Sequence, residues 1–252
     1  MSKHEKFIMK PITSVIEEMK AATSCIGSGI ETYPLYDYVI QSTFTKMTGF
    51  QEQKIKCIDW ELATNDYDYR LMFVDDVKNK GTYSTYDAKN SVYNALINEI
   101  VRYSGKGKKD FLNEMKREKN INPREIIQQI LDNTNIIYCR QREYNAFKKC
   151  DKEFKEQYFI VPDSNESKSV KLFETVLVKH YKEELYRQRN RIAHNTLSYQ
   201  QNLPELEMLK GENELTRNYF FWFSILVLID EIFMELYNVY SKCLKENSYF
   251  DD

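Results

Sequence analysis

The amino-acid sequence predicts an almost wholly α-helical protein that forms a single domain over residues 1–252. Glycine and proline, which interrupt long helices, number only 7 and 5 among the 252 residues. Hydrophobic residues make up 42% of the chain, which is enough for a sizeable core. They recur mostly at steps of three or four, the spacing that keeps one face of a helix apolar. These observations favour a helical bundle and argue against a β-sandwich or barrel.

The individual helices are predicted from this spacing and from residues that begin or end helices. Pro34 opens the second helix, Gly105 ends the third, and Asn122 with the proline after it forms a clear helix start. An apolar stripe along 170–192 predicts one long helix there, whereas 71–74 reads as a short extended piece. The predicted helical segments are 8–27, 35–62, 84–104, 110–119, 122–149, 166–195 and 212–245.

Composition and charge limit the classes of function. The net charge is −2, so any nucleic-acid site must be a local basic patch. The five cysteines are widely spaced without a CxxC or CxxH pair, which argues against a zinc site and fits a reducing cytoplasm. No apolar leader follows Met1, and the longest apolar run, 219–229, is short of the ~20 residues of a membrane span. We therefore expect a cytoplasmic protein that uses no metal, cofactor or membrane, with that run inside a core helix.

The most informative stretch is Arg189-Asn190-Arg191-Ile192-Ala193-His194. RNA can be cut without a metal when one group activates the ribose 2′-hydroxyl and another stabilises the charged phosphorane. Histidine suits the first task because its unperturbed pKa of ~6.5 is near neutral pH. Arginine suits the second because its planar fork matches phosphate oxygens.

Helix geometry places these residues only partly together. Asn190 and His194 are one turn apart, and Arg187 lies two turns before His194 on the same face. Arg189 is five residues from His194, which is ~140° around a regular helix. Arg189 therefore reaches the same phosphate only if the helix frays or if its long side chain wraps around.

The stretch resembles the R-(N/D/H)-x-x-x-H form of the Rx4–6H signature of the HEPN superfamily. Its members are small helical domains, many of them ribonucleases in toxin–antitoxin, abortive-infection and CRISPR effector systems. The resemblance implies a HEPN-like helical bundle with additional helices. It covers about half of the chain, namely the helices at 35–62, 84–104, 166–195 and 212–245. Residues 105–165 would be a helical insertion and 1–33 an N-terminal addition.

The chemistry implied by the resemblance is that of a metal-independent endoribonuclease. His194 would be the general acid/base, Arg189 would bind phosphate and stabilise the transition state, and Asn190 would position both. Attack by the 2′-hydroxyl would leave a 2′,3′-cyclic phosphate and a 5′-hydroxyl. Arg187 forms an Rx6H spacing with the same histidine, so the sequence leaves open which arginine serves.

Family active sites are usually composite, with motifs from two domains facing one cleft. Because this chain has one motif, the resemblance implies a homodimer. The aromatic run 219–223 has more apolar surface than one intramolecular face can easily hide, so we expect the last helix, or the motif helix, to contribute to the interface. By the same resemblance, the protein would be a toxin or antiphage effector with a regulator: an antitoxin, a nucleotide ligand or a phage trigger.

Further basic residues are candidates for contact with the RNA backbone. Arg187 and Arg191 flank or lie within the motif. Lys106, Lys108 and Lys109 belong to a glycine–lysine loop that lacks the G-x4-G-K-[ST] pattern of a phosphate-binding loop. The plainer interpretation of that loop is ordinary solvated surface.

A polar group at 52–56 in the second helix has two interpretations. It is either a solvated helix face, or Glu52 or Gln53 lines a cleft opposite the motif and orients Arg189 or His194. His180, at the margin of its helix's apolar stripe, is expected to be a partly buried packing histidine.

Two other functions stay open. The first is a non-catalytic helical module that holds RNA or a nucleotide, or pairs with a partner protein. The second is a purely structural role for the motif, in which Arg189 and Arg191 pair with acids such as Glu183, Glu184 or Glu205.

Overall fold

A computed structural model of the chain describes residues 3–76, 83–194 and 218–248, with the side chains of 72–76, 193–194 and 248 outside the description. The described chain is all α-helical, as the sequence predicts, apart from short 3-10 turns, one π-helical turn and an isolated antiparallel bridge between Tyr158 and Phe173. The helices are α1 (Lys3–Ile8), α2 (Thr13–Thr23), α3 (Tyr33–Asn65), α4 (Tyr67–Asp76), α5 (Tyr86–Ser104), α6 (Lys108–Glu118), α7 (Pro123–Leu131), α8 (Asn135–Cys139), α9 (Gln141–Lys148), α10 (Thr175–Lys179), α11 (Tyr186–His194) and α12 (Tyr219–Ser248). The π-helical turn His180–Leu185 joins α10 to α11. Within these residues, no helix is long and apolar enough to cross a membrane.

Helix α12 forms the centre of the fold. Residues 219–230 are all buried, and the helix packs against α3, α5 and α7. A helix that is apolar on all sides belongs inside a core, and the predicted core helix is therefore confirmed. Asn218 caps it, because its side-chain oxygen accepts hydrogen bonds from the backbone N–H groups two and three residues on, at 3.1 and 3.3 Å. The helix thus begins at Tyr219. The predicted start at 212 lies outside the described residues.

Burial of the aromatic run 219–223 corrects the expectation that this run has surplus apolar surface. These side chains are at most 5% exposed within a single chain. The Trp222 ring lies 5.4 Å from that of Phe44 on α3, and the Phe220 ring lies 5.3 Å from that of Tyr144 on α9. The run is hidden inside the chain and offers no surface to a second copy.

Helices α3 and α5 follow the predicted segments 35–62 and 84–104 closely. Their ends are set by local signals that the sequence displays. The Thr85 hydroxyl accepts a hydrogen bond from the backbone N–H of Ala88 at 3.2 Å and begins α5. Gly105 ends it in the left-handed conformation, with φ of 66°.

The helix that leads to the motif is shorter than predicted. It begins at Thr175 rather than 166, because the residues before it are not helical and are held to α5 by hydrogen bonds. Two α5 side-chain oxygens accept backbone N–H groups there: that of Asn94 from Val170 at 2.6 Å, and that of Asn90 from Leu172 at 2.8 Å. Val170 is buried, as the apolar stripe predicts. It lies before the helix, however, where its backbone is hydrogen-bonded to Asn94.

Three other predicted segments differ in their local structure. The segment 8–27 is divided, since α1 ends at Ile8 and α2 begins at Thr13. The segment 122–149 forms α7, α8 and α9, with Asn133 in the left-handed conformation at φ of 63° after α7. The expectation of an extended piece at 71–74 is wrong, because these residues are helical within α4.

A buried ion pair ties the N-terminal segment to the centre of the fold. Lys54 of the polar group 52–56 is not solvated: it and Asp230 are each 1% exposed, and their side chains are 2.5 Å apart. The Lys54 amine also donates to the carbonyl of Lys10 at 2.6 Å, and Asp230 accepts the backbone N–H of Ile12 at 2.8 Å. These contacts join α3, α12 and the loop between α1 and α2.

Candidate functional site

Helix α11 carries the motif and is set against α3 by the π-helical turn before it. Leu177, Tyr181 and Leu185 are buried at four-residue intervals, and Arg189 is the next residue at that interval. A step of four residues along a regular α-helix rotates such a row by ~40°. The π-helical turn His180–Leu185 offsets this rotation, because a π-helix holds more residues per turn. Arg189 consequently lies on the packed side of α11, facing α3.

Arg189 is held by two side chains. One terminal nitrogen donates to Oε2 of Glu52 on α3 at 3.1 Å, and the other donates to Oδ1 of Asn190 at 3.1 Å. The Arg189 side chain is 21% exposed and that of Glu52 18% exposed. A guanidinium carries five N–H groups, so two are occupied and part of the fork still faces solvent. The arrangement fixes the direction of a cation that can still contact an anion.

The two interpretations of the polar group 52–56 are both partly right. Gln53 and Lys56 are exposed, as a solvated helix face requires. Glu52, however, lies opposite the motif and contacts Arg189, as the cleft interpretation expects. Sequence alone could not choose between them, because the pairing joins residues far apart in the chain.

The ion pairs expected under a purely structural role are not those observed among the described residues. Arg189 pairs with Glu52, and Glu184 pairs with His180 at 3.0 Å. Glu205 lies outside the described residues. The ion pair of Arg189 among the described residues therefore joins α11 to α3.

Behind the Glu52–Arg189 pair lies a buried lysine that sequence reasoning missed. Lys89 on α5 is 1% exposed, and its amine donates to the carbonyl of Tyr83 at 2.9 Å. Burial lowers the pKa of Lys89 to about 7, an effect that nearby Glu52 opposes and Arg189 reinforces. One signal was available: Lys89 occupies the apolar stripe of α5, where a lysine needs an explanation.

Arg187 and Arg191 differ from Arg189 in their surroundings. Arg187 is exposed and Arg191 half-buried, and neither forms an ion pair with the described residues. Among the described residues, Arg187 therefore has no ion-pair partner that an anion would have to displace.

His194 is the last described residue of α11, and its side chain lies outside the description. The backbone is helical through His194, so the helix does not fray between Arg189 and His194. The two positions are then ~140° apart around the axis of a regular helix. Of the two routes by which both could reach one phosphate within a chain, only the wrapping of the arginine side chain is left.

The three lysines of the glycine–lysine loop are engaged within the chain. Lys106 forms an ion pair with Glu114 at 2.5 Å. Lys108 donates to the carbonyl of Ser167 at 2.8 Å, and Lys109 to that of Asp163 at 3.0 Å. An RNA backbone would compete with these contacts, which favours the plainer interpretation of the loop.

His180 is a partly buried packing histidine, as predicted. Its ring meets that of Phe221 edge-on at 5.0 Å and its Nδ1 lies 3.0 Å from a carboxylate oxygen of Glu184. The contact with Glu184 raises the pKa of His180.

Comparisons with family models, curated proteins and solved structures give no match for this chain. Among the described residues, no group of three or more histidine, cysteine, aspartate or glutamate side chains is arranged to hold a metal ion. A function for this chain is accordingly inferred from the motif and from the contacts around Arg189.

Proposed function

We propose that the protein is a metal-independent endoribonuclease with a HEPN-like fold, whose site is formed by Arg189, Asn190 and His194. The observation that carries the proposal is the anchoring of Arg189. Glu52 and Asn190 fix this arginine while part of its guanidinium faces solvent. Preorganised donors of this kind stabilise charge that develops in a transition state.

Each residue has a defined task in this proposal. His194 removes the proton of the ribose 2′-hydroxyl as the 2′-oxygen bonds to phosphorus. Arg189 stabilises the negative phosphorane, and Asn190 holds Arg189 in place. The bond from phosphorus to the 5′-oxygen then breaks, and the departing oxygen takes a proton from an acid. The products are a 2′,3′-cyclic phosphate and a 5′-hydroxyl.

The acid and the base are supplied by two copies of the chain in our proposal. One motif provides one histidine, whereas the reaction needs a base for the 2′-hydroxyl and an acid for the 5′-oxygen. A two-fold axis near α11 would bring two His194 side chains to one cleft. The ~140° between the positions of Arg189 and His194 on one helix would then be no obstacle, since Arg189 of one chain would act with His194 of the other.

A ribonuclease of this type would damage its own cell if it were always active. An antitoxin or another regulator therefore completes the proposal, in a toxin or antiphage setting.

The first prediction concerns cleavage in a chelator. Purified protein is expected to cut single-stranded RNA in EDTA and to leave 2′,3′-cyclic phosphate ends. His194→Ala should lower the rate by ~10²–10⁴, the usual value of general acid–base catalysis. Arg189→Ala and Arg187→Ala, measured side by side, decide which arginine serves, and we expect the larger loss for Arg189→Ala.

The control for these variants is His4→Ala, which removes a histidine of α1 that contacts Glu61 and should cut at the wild-type rate. A strict requirement for Mg²⁺ or Mn²⁺, or near-wild-type cleavage by His194→Ala, would overturn the proposal.

A second candidate function is supported by Arg187, which is exposed and forms no ion pair with the described residues, beside the half-buried Arg191. These two cations can hold RNA or a nucleotide by charge alone, without chemistry. The same experiment separates the two functions: a binding module would retard RNA on a gel in EDTA and leave it intact. An Arg187→Ala/Arg191→Ala variant would then lose the retardation.

A further inference from the structure

Exposed apolar side chains of the described residues are concentrated at the start of α3 and on α8. Nine large apolar side chains in the described part of the chain are exposed, and five of them belong to these two segments: Ile30, Tyr33, Leu35, Tyr38 and Tyr138. The segments meet, because the side chains of Tyr36 and Asn135 both donate to the carbonyl of Ile26, at 2.9 and 2.7 Å. Apolar surface concentrated in this way marks a place where another molecule binds.

A cavity of about 400 Å³ opens between the first turn of α3 and the junction of α8 with α9. Its lining includes Tyr33, Pro34, Asp37, Cys139, Arg140 and Glu143. Tyr33 is 45% exposed, and Tyr138, which precedes the lining residue Cys139, is 61% exposed. The cavity is within the range of ligand pockets, ~300–1,000 Å³, so it can accept a side chain of another molecule.

Two carboxylates of the cavity share one guanidinium. Arg140 contacts Asp37, and it contacts one carboxylate oxygen of Glu143 at 2.6 Å. Asp37 also accepts a hydrogen bond from the Gln41 amide at 2.8 Å. The second oxygen of Glu143, by contrast, is buried without a hydrogen-bond partner among the described residues. A buried acceptor without a partner is costly, and a donor that reached this oxygen would remove the cost.

The charge of Glu143 is thus incompletely compensated. Burial raises the pKa of this carboxyl group, although Arg140 opposes the shift. The cavity therefore favours a cation or an N–H donor and disfavours a phosphate group, which would meet two carboxylates and a guanidinium that is already engaged.

We propose that this surface is the docking site of a partner protein, which inserts a lysine or arginine side chain into the cavity. The inserted cation donates to the second oxygen of Glu143, and the rings of Tyr33 and Tyr138 attract it through their faces. Apolar residues of the partner, on either side of the cation, cover the exposed apolar side chains of 30–38. The proposal does not depend on the proposed ribonuclease activity, because none of these residues belongs to the motif.

The first experiment determines which peptides the surface selects. Phage that display short random peptides are first depleted on the double variant Tyr138→Ala/Glu143→Gln and then selected on the immobilised full-length wild-type protein. Both substitutions should leave the fold intact, because Tyr138 is exposed and glutamine keeps an oxygen for Arg140. We expect the enriched peptides to carry lysine or arginine beside apolar residues. Enrichment of acidic peptides, or of no peptide, overturns the proposal.

The second experiment measures the affinity of one enriched basic peptide by fluorescence anisotropy. Tyr138→Ala and Glu143→Gln should each weaken its binding by ~10-fold or more, since a few buried aromatic and charged contacts dominate the energy of an interface. The matched control is Trp60→Ala, which removes another exposed aromatic side chain of α3, at the far end of that helix from the cavity, and should bind as wild type does.

A double-mutant cycle connects the cation of the peptide to Glu143. Replacing the basic residue of the peptide by methionine should weaken binding to wild type by ~10-fold or more and should have little further effect on Glu143→Gln. Additive losses, or unchanged binding by Glu143→Gln, contradict the proposal.

Two other occupants of the surface are recognised by separate measurements. If the surface joined two copies of this chain, Tyr138→Ala would lower the mass that sedimentation gives for the wild-type protein. If it held RNA, Tyr138→Ala would weaken the binding of a 2′-O-methyl RNA oligonucleotide, which cannot be cleaved. We expect the mass and the RNA affinity of Tyr138→Ala to equal those of wild type, and a change in either overturns the proposal.

Discussion

Lys54 and Lys89 are both buried lysines, but their charges are compensated in different ways. Lys54 pairs with Asp230 at 2.5 Å and donates to a backbone carbonyl as well, whereas Lys89 donates to a backbone carbonyl and forms no salt bridge with the described residues. Burial lowers the pKa of Lys54 and raises that of Asp230, while each partner opposes the shift of the other. Replacing Lys54 by methionine therefore isolates the buried Asp230 carboxylate, whereas Lys89 has no salt-bridge partner among the described residues to isolate.

Breaking the Lys54–Asp230 pair should be strongly destabilising. Lys54→Met leaves a buried carboxylate without its partner, and we expect the free energy of unfolding to fall by ~3–5 kcal/mol. Asp230→Asn keeps an oxygen for the backbone N–H of Ile12 and isolates the lysine instead. The double variant should lose less than the sum of the two single losses, because neither charge is then unpaired.

Urea denaturation of the four proteins measures this cycle, with Lys56→Met as the exposed control, for which a change within ~0.5 kcal/mol is expected. Additive losses, or a Lys54→Met protein as stable as wild type, would show that the pair does not stabilise the fold.

At the scale of the helix, α3 contains a glycine that its packing does not require. A Cβ built at Gly49 meets no atom within 4 Å, and the helix is continuous on both sides. Because glycine is ~1 kcal/mol less favourable than alanine inside a helix, Gly49→Ala should raise the free energy of unfolding by ~0.5–1 kcal/mol.

The matched control is Gly105→Ala, at a φ of +66°, where an L side chain is strained and a loss of ~1 kcal/mol is expected. Thermal and urea unfolding of both variants test the pair. A destabilised Gly49→Ala protein would mean that this position of α3 is closer to other atoms than the structure places it.

Helices were predictable where local signals set their ends. Thr85 and Gly105 bound α5 through a hydroxyl cap and a left-handed glycine, both readable from the sequence. The start of the motif helix was not, because Asn90 and Asn94, from a distant part of the chain, accept the backbone N–H groups of Leu172 and Val170 and hold this segment outside the helix. Hydrogen bonds between side chains and a backbone segment that is distant in the sequence produce no periodic pattern of residues from which they could be predicted.

The candidate site likewise has features that the sequence predicts and features that it does not. The motif and its place at a helix end were visible as a pattern of residue types, whereas the partner of Arg189 was only one of two interpretations of Glu52. The π-helical turn His180–Leu185, which precedes the helix that carries Arg189, had no recognisable sequence signal. Lys89 did have one, since a lysine in an apolar stripe is either paired or functional.

For the whole molecule, burial of the last helix removes one reason to expect a dimer, namely an exposed aromatic surface on that helix. Residues 219–230 of α12 are buried between helices of the same chain, so the aromatic run cannot be what a second copy covers. Two other observations favour a dimer. The reaction needs both a base and an acid, whereas each chain has one motif histidine, and the positions of Arg189 and His194 are ~140° apart around a regular helix.

A dimeric site makes wild-type activity sensitive to an inactive partner. Wild-type protein is mixed with a tenfold excess of His194→Ala, and RNA cleavage is measured at once and again after the chains have exchanged, with RNA in excess over all protein. If the site needs His194 from both chains, most wild-type chains end in mixed dimers with one histidine, and activity should fall far below its initial value. The control is the same excess of Lys56→Met, which keeps the motif intact and should not inhibit.

Light scattering should give the mass of two chains, and specific activity should fall on dilution. A monomer whose activity is unchanged by the His194→Ala chain would exclude the composite site and leave the nuclease assignment to the chelator experiment.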